Sequence, residues 1–187
     1  TLGCREKKAI TVEEVSFTKE DSLTDRYLSL QDSLLQAWNM MMNDDNQKLK
    51  SLHHLLHELS VGKQADDEKL QALNLRLEQL MRIRFTPKTM GNPDVVEEYD
   101  FASNSLTAEV VSLATSAPNF EQNSTIQSLV QNIQQADAHM LDYRYEYDRI
   151  AAKYNDFLQQ NRAMMKSIDA NSSLEKRALF DMMAEED

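Results

Sequence analysis

The sequence predicts an all-α fold, an elongated antiparallel four-helix bundle with a short extra C-terminal helix. Apolar residues recur at intervals of three and four over long stretches, which is typical of amphipathic helices. The 187 residues include only three Gly and three Pro, too few for the many turns of a sheet-rich fold. The length suits one domain. We expect that domain at residues 21–187, preceded by a disordered tether at residues 1–20.

The first helix is predicted to begin near Asp21 or Ser22 and to end before Gly62, a suitable residue to follow a helix end. The acidic run at residues 44–46 interrupts its apolar pattern, so one long helix is preferred and two shorter helices are the alternative. Its apolar positions are Leu23, Tyr27, Leu30, Leu34, Ala37, Trp38, Met41, Leu52, Leu55, Leu56 and Leu59.

The second and third helices are predicted from their boundary residues. The second follows Asp66 and Asp67, which are good capping residues, and ends at Thr86-Pro87. The third begins at about Pro93, since proline is tolerated in the first turn of a helix, and stops before Pro118. Their apolar positions are Leu70, Leu73, Leu77 and Leu80, then Val96, Tyr99, Leu106, Val110 and Leu113.

The fourth helix is predicted from Thr125 to Ile168, about 65 Å at 1.5 Å per residue. Alternate steps of three and four give an apolar seam of Ile126, Leu129, Ile133, Ala136, Met140, Tyr143, Tyr147, Ile150, Tyr154, Phe157, Met164 and Ile168. Asn161 is the polar exception and is interpreted as a register residue. Three seam tyrosines suit a multi-helix core better than a two-stranded coiled coil. A last short helix is predicted with Ser172 as its cap, folding back on the bundle.

The charge and composition argue against several classes of function. A formal charge of −11, with scattered basic residues, disfavours a nucleic-acid partner. No glycine-rich stretch suggests a nucleotide loop, and no apolar run approaches the length of a membrane span. We expect no cofactor and no catalytic residues.

The histidine cluster at residues 53–57 is the one weak candidate for a metal site. His53 and His57 are four residues apart, so a helix places them on one face. A site needs at least one more ligand, and the sequence identifies none. A polar flank beside the leucine stripe is the preferred interpretation.

The start of the chain resembles a bacterial lipobox, in which a small residue precedes a cysteine that becomes lipidated. Gly3 and Cys4 fit this pattern, whereas Thr1 departs from it. The polar residues that follow suit a tether. The resemblance implies a lipid on Cys4; an ordinary free cysteine near a chain end is the alternative.

The stretch from Pro118 to Asn155 carries Pro118-Asn119-Phe120, Asn123, Leu129, Ile133, Asp137, Met140, Arg144, Tyr147-Asp148 and Tyr154-Asn155. In this pattern it resembles the LemA family of bacterial envelope proteins, which has two Tyr-Asn pairs seven residues apart after an arginine. Asp148 departs from the family, as does the lack of its early arginine and Leu-Ile-Pro-Asn-like segment. The resemblance implies a four-helix bundle outside the cytoplasm, tethered by its N-terminus and without established enzymatic activity. Arg144, Tyr147, Tyr154 and Asn155 are its structural motif residues.

Together these features predict a non-enzymatic, lipid-anchored envelope protein whose bundle is a scaffold or interaction module for an unidentified protein partner. If so, apolar side chains should be exposed around Trp38 and Met40–Met42. Two alternatives are a ligand- or metal-binding sensor that uses His53 and His57, and a cytoplasmic coiled-coil adaptor in which Cys4 is incidental.

Overall fold

A computed structural model of the chain describes residues 18–171 and 173–182. Four α-helices make up most of this part: α1 (Lys19–Val61), α2 (Asp67–Arg82), α3 (Pro93–Thr115) and α4 (Ser124–Ile168). A single 3₁₀ turn, Phe120–Gln122, precedes α4. The described residues contain no strand, and the predicted all-α class is confirmed. None of the described helices is long and apolar enough to cross a membrane.

The first helix is continuous through its acidic middle, as the preferred interpretation required. It begins at Lys19, slightly earlier than predicted, because Thr18 and Asp21 form a capping box. The Asp21 amide donates to Thr18 Oγ1 at 3.1 Å, and the Thr18 amide donates to Asp21 Oδ2 at 2.9 Å. Each bond satisfies an amide near the helix start, which lacks a partner inside the helix.

The starts of α3 and α4 also follow local capping, whereas Asp66 at the start of α2 makes no side-chain capping hydrogen bond. The α2 helix ends at Arg82, before the predicted stop at Thr86-Pro87. The α3 helix has Pro93 in its first turn, and the Asn92 side chain accepts from the Asp94 amide. The α4 helix starts where Asn123 Oδ1 accepts from the Ile126 amide at 3.1 Å. These side chains satisfy amides that the helices leave unpaired.

The buried face of α4 departs from the predicted seam along the helix. Ile126, Ile133 and Ala136 are buried as expected. Further along, Tyr143, Ile150 and Phe157 are only partly buried, and Ile168 is exposed. The buried positions there are Arg144, Tyr147, Asp148, Ala151, Tyr154, Leu158 and Met165. An α-helix has 3.6 residues per turn, so a seam read at 3.5 drifts by about 20° per heptad.

The two long helices contact each other over most of their lengths. The Tyr27 ring lies 5.9 Å from that of Tyr154, and the Trp38 ring lies 5.6 Å from that of Tyr147. Further along, Lys48 Nζ is 3.0 Å from Asp137 Oδ1. The surfaces that α1 shares with α2 involve residues 46–60 of α1, and all four helices contribute to one core.

The predicted C-terminal helix is wrong: residues 173–182, here called the C-terminal segment, contain no helix. Leu174 and Asp181 have positive φ angles of 47° and 60°, a conformation that does not continue a right-handed helix. Backbone groups of the segment instead bond to side chains of α4. The segment does fold back on the bundle, as predicted, and buries Leu174. The predicted cap Ser172 lies outside the described residues.

Candidate functional site

Three polar side chains of α4 hold the main chain of the C-terminal segment. The Asp148 carboxylate accepts from the amides of Phe180 at 2.7 Å and Met182 at 2.9 Å. Asn155 donates to the Arg177 carbonyl at 2.9 Å and accepts from the Arg177 amide at 2.7 Å. Arg162 donates to the Leu174 carbonyl at 3.2 Å. We call Asp148, Asn155 and Arg162 the α4 ladder.

The spacing of the α4 ladder matches that of an extended peptide. Its members are seven residues apart, which is about 10.5 Å along a helix. The residues they hold are three apart in the chain, which is about 10 Å in extended backbone. Residues seven apart also lie close to one side of a helix. One polar residue per heptad therefore contacts every third residue of a peptide that lies along α4.

An aromatic cluster receives the end of the C-terminal segment. The Phe180 ring packs edge-on against Phe85 and Tyr147, with centroids 5.6 and 5.7 Å away. Trp38 contacts both Phe85 and Tyr147 from α1. Edge-to-face packing of this kind adds stabilisation beyond the apolar area buried. Phe180 is consequently an anchor for the segment.

The Arg144 guanidinium lies within the same cluster. It is 4.9 Å from the Phe180 ring centroid and 5.5 Å from that of Phe85. It also donates two hydrogen bonds of 2.7 Å to the two carboxylate oxygens of Asp100 on α3. A planar guanidinium can make this fork and stack on aromatic faces at once, whereas an ammonium cannot. Arg144 thus links α3, α4 and the C-terminal segment.

Burial in this region raises the pKa values of two side chains, Asp148 and Tyr147. Burial raises the pKa of the Asp148 carboxyl, although the two amide hydrogen bonds from the segment oppose the shift. Burial also raises the pKa of Tyr147, against the opposing effect of Arg177. The Asp148 side chain is held in a site that disfavours its charged form and is compensated mainly by main-chain donors.

A second polar cluster lies inside the bundle, around Asp45 of α1. The Tyr99 hydroxyl donates to Asp45 Oδ2 at 2.6 Å, and Arg84 NH2 lies 2.8 Å from the same oxygen. Lys48 Nζ lies 3.7 Å from the other oxygen and donates to Ser103 Oγ at 2.8 Å. Burial, followed by the Asp45 charge, raises the pKa of Tyr99. This cluster explains why the acidic middle of α1 does not interrupt the helix.

The buried cluster lies beside a small cavity of about 230 Å³, lined in part by Lys48, Ser103 and Asp137. Its charges are paired with one another, since Lys48 Nζ also donates to Asp137 Oδ1 at 3.0 Å. Paired and hydrogen-bonded ions of this kind can be buried without a ligand. The arrangement therefore joins α1 to α3 and α4 and accounts for its own charges.

The residues predicted for lipidation and metal binding do not form a site in the described part of the chain. Cys4 lies outside the described residues. His53 and His57 are exposed and border open grooves between α1 and α2. In the part of the chain that the structure describes, no group of three or more His, Cys, Asp or Glu side chains could hold a metal ion.

The family-motif residues, in contrast, lie together. Arg144, Tyr147 and Tyr154 are buried, and Asn155 belongs to the α4 ladder. The expected exposure of apolar side chains near Trp38 is found only in part. Met40 is 57% exposed, whereas Met41 is fully buried and Met42 is partly buried.

The sequence interpretation did not predict that Asp148 and Arg162 form hydrogen bonds with the main chain of the C-terminal segment. A signal was present, because Asp148, Asn155 and Arg162 form a regular polar row beside an apolar seam. It gave no indication of what the row contacts. It missed the Asp45 cluster as well, since its members come from three helices, α1, α3 and α4, and from a connecting residue, Arg84, that are distant in the chain.

Comparisons of the chain with protein-family models, with curated proteins and with solved structures found no match.

Proposed function

We propose that this protein is a non-enzymatic, lipid-anchored envelope protein whose helical bundle acts as a protein-interaction module. The observation that carries the interaction role is the α4 ladder, which makes five hydrogen bonds to the main chain of an extended segment. Main-chain recognition of an extended peptide is a recurring mode of protein binding. The buried charges around Asp45 pair with each other, which supports a structural rather than a catalytic role.

The proposal includes an elongated antiparallel four-helix bundle. Its support is the order of contacts: Tyr27, Trp38 and Lys48 of α1 meet Tyr154, Tyr147 and Asp137 of α4, in that order. Rising numbers in one helix thus face falling numbers in the other. Short connections between successive helices also favour antiparallel neighbours. In the proposed arrangement α2 and α3 complete the bundle around residues 42–61 of α1.

The support for the proposed kinship with LemA proteins is the division of roles within the two residue pairs that match its motif. Tyr147 and Tyr154 are core residues, whereas the residues that follow them, Asp148 and Asn155, hold the C-terminal segment. A Tyr-polar pair repeated after seven residues can therefore combine core packing with peptide contacts. Asp148, which replaces the family's first Asn, accepts two amides, as a carboxylate can.

The anchor is tested by labelling. The protein expressed from its whole gene in a bacterial host should incorporate radioactive palmitate, and globomycin, which inhibits the lipoprotein signal peptidase, should change the labelled species. A Cys4→Ala variant should incorporate none, whereas Cys4 in the unchanged chain should carry the label. Equal labelling of the two would contradict the lipid anchor, and absence of label in both would favour the cytoplasmic adaptor.

A further inference from the structure

The C-terminal segment binds α4 in a manner that depends little on its own sequence. Its hydrogen bonds to the α4 ladder all involve main-chain groups of Leu174, Arg177, Phe180 and Met182. Any extended peptide can offer the same amides and carbonyls at the same interval. The segment lies in a surface groove bordered by the α4 ladder and the aromatic cluster, here called the groove. Specificity has to come from the few segment side chains that contact the groove.

Three side chains supply that specificity, and they are evenly spaced. Leu174 is 1% exposed. Arg177 is exposed as a whole, but its guanidinium lies 5.7 Å from the centroid of the Tyr154 ring, a favourable cation–π distance. Phe180 enters the aromatic cluster of Phe85 and Tyr147. The groove therefore selects an apolar, a basic and an aromatic residue at successive intervals of three.

The segment is an imperfect occupant of this groove. After α4 ends at Ile168 the chain runs back along the same helix, and Leu174 has a φ of 47°. A left-handed conformation is unfavourable for a residue with a Cβ. A peptide that is not joined to the end of α4 need not make the reversal, so it need not incur that cost.

Space also remains beside the segment. A cavity of about 490 Å³ opens next to it, lined both by apolar residues such as Met90 and Val96 and by the charged side chains of Glu97, Asp100 and Arg144. Ala178 is small, and Gly91 faces it across the cavity, where an added Cβ would lie 3.5 Å from that of Ala178. A peptide with a larger residue at the position of Ala178 would fill more of this volume.

We propose that the groove beside α4 binds an extended peptide of another protein that carries an apolar, a basic and an aromatic residue at intervals of three. Residues 173–182 occupy the groove as an internal competitor of that peptide. This inference rests on the proposed interaction role and is independent of the lipid anchor. A partner peptide therefore binds only when it displaces the segment. Its apparent affinity equals its intrinsic affinity multiplied by the fraction of chains in which the groove is empty.

The test uses a fluorescein-labelled peptide with the sequence of residues 173–182 and measures its binding to the full chain by anisotropy. Two variants weaken the internal competitor: Phe180→Ala removes the aromatic anchor, and Arg177→Pro removes the amide that Asn155 accepts. Both should bind the peptide about tenfold more tightly than the unchanged chain, because each loss is about the size of one or two buried contacts. Circular dichroism checks that each variant keeps its helices.

Groove variants then identify the binding surface. Adding Asn155→Ala to Phe180→Ala should weaken peptide binding about tenfold, since two hydrogen bonds are lost. Adding Asn161→Ala should leave the affinity unchanged, because Asn161 donates only to the Phe157 carbonyl of its own helix. A peptide of the same composition with the arginine and phenylalanine moved should bind more weakly than the native order.

Three results would overturn the proposal. One is equal affinity of the unchanged chain and both competitor variants for the peptide. Another is unchanged peptide binding when Asn155→Ala is added to Phe180→Ala. The third is a chain that runs as a dimer in light scattering and becomes monomeric with Asn155→Ala, which would assign the groove to segment exchange between copies. Loss of peptide binding with intact palmitate labelling would refute this inference while leaving the anchored protein in place.

Discussion

Asn155 and Arg177 exchange two hydrogen bonds, in which one side-chain amide pairs with both main-chain groups of a single residue. A residue in a neighbouring strand would make the same pair of contacts in a sheet. Asn155 thus allows a helix to hold extended backbone. With Asp148 and Arg162, it forms a row of side chains along about four turns of α4 that holds a segment without secondary structure of its own.

Removing the Asn155 amide should loosen the segment locally. In an Asn155→Ala variant we expect hydrogen exchange at the Arg177 amide to rise about tenfold or more, because the amide loses its acceptor and the segment opens more often. The hydrogen-exchange rate of the Arg177 amide can be measured directly by heteronuclear NMR. Asn161→Ala is the matched control, since Asn161 bonds only within α4. A similar rise in both variants would show that the exchange rate responds to a general loosening of α4 and not to the loss of the Asn155 hydrogen bonds.

The aromatic anchor should be visible in the emission of Trp38, the only tryptophan in the chain. Trp38 contacts Phe85 and Tyr147, which both contact Phe180. Phe180→Ala should shift its emission to longer wavelength as water reaches the cluster. Phe101→Ala should not, because Phe101 is 79% exposed. An unchanged spectrum in the Phe180 variant would show that the ring does not shield the cluster in solution.

The Arg144–Asp100 pair should contribute more to the free energy of unfolding than the Arg149–Glu146 pair at the surface. Arg144→Lys should lower the free energy of unfolding by about 2 kcal/mol, because lysine can neither form the fork to Asp100 nor stack between two rings. Arg149→Lys is the matched control, since Arg149 makes a comparable fork to Glu146 near solvent. Solvent screens that pair, so its loss should matter far less. Urea unfolding of the two variants tests the difference.

The Asp45 cluster should be the most sensitive to a single change. Asp45→Ala should cost about 3–5 kcal/mol, because Arg84 and Lys48 lose a shared buried counter-ion and the Tyr99 hydroxyl loses its acceptor. Asp32→Ala changes an exposed residue of the same helix and should have little effect. Chemical denaturation gives both values. A small cost for Asp45→Ala would mean that water replaces the lost carboxylate within the cluster.

Asp148 should make stability depend on pH in a defined direction. Its pKa is raised in the folded chain, so the folded state binds a proton more tightly than the unfolded state. Its contribution is fully present below the ordinary aspartate pKa and is lost as pH rises through the raised value. Between those limits the free energy of unfolding should fall more steeply for the unchanged chain than for Asp148→Asn. Parallel pH profiles of the two proteins would contradict the raised pKa.

Sequence patterns predicted the helices well but not what their polar residues contact. The boundary residues Gly62 and Pro93 and the 3/4 spacing of α4 are local features, so they could be read from the chain. The C-terminal helix was wrong because a local capping pattern at Ser172 competes with contacts to α4 that lie 12 to 34 residues away. The predicted seam drifted because it was read at 3.5 residues per turn.

The sequence by itself determined an all-α chain of four main helices, since apolar periodicity and the scarcity of Gly and Pro act within each stretch. Tertiary structure alone decided that Asp45 is buried among partners from other elements, because pairing of charges distant in the chain depends on which helices meet. It also decided that Asp148, Asn155 and Arg162 bind backbone. Their regular spacing is written in the sequence, but the segment they hold reaches them only after the chain has reversed.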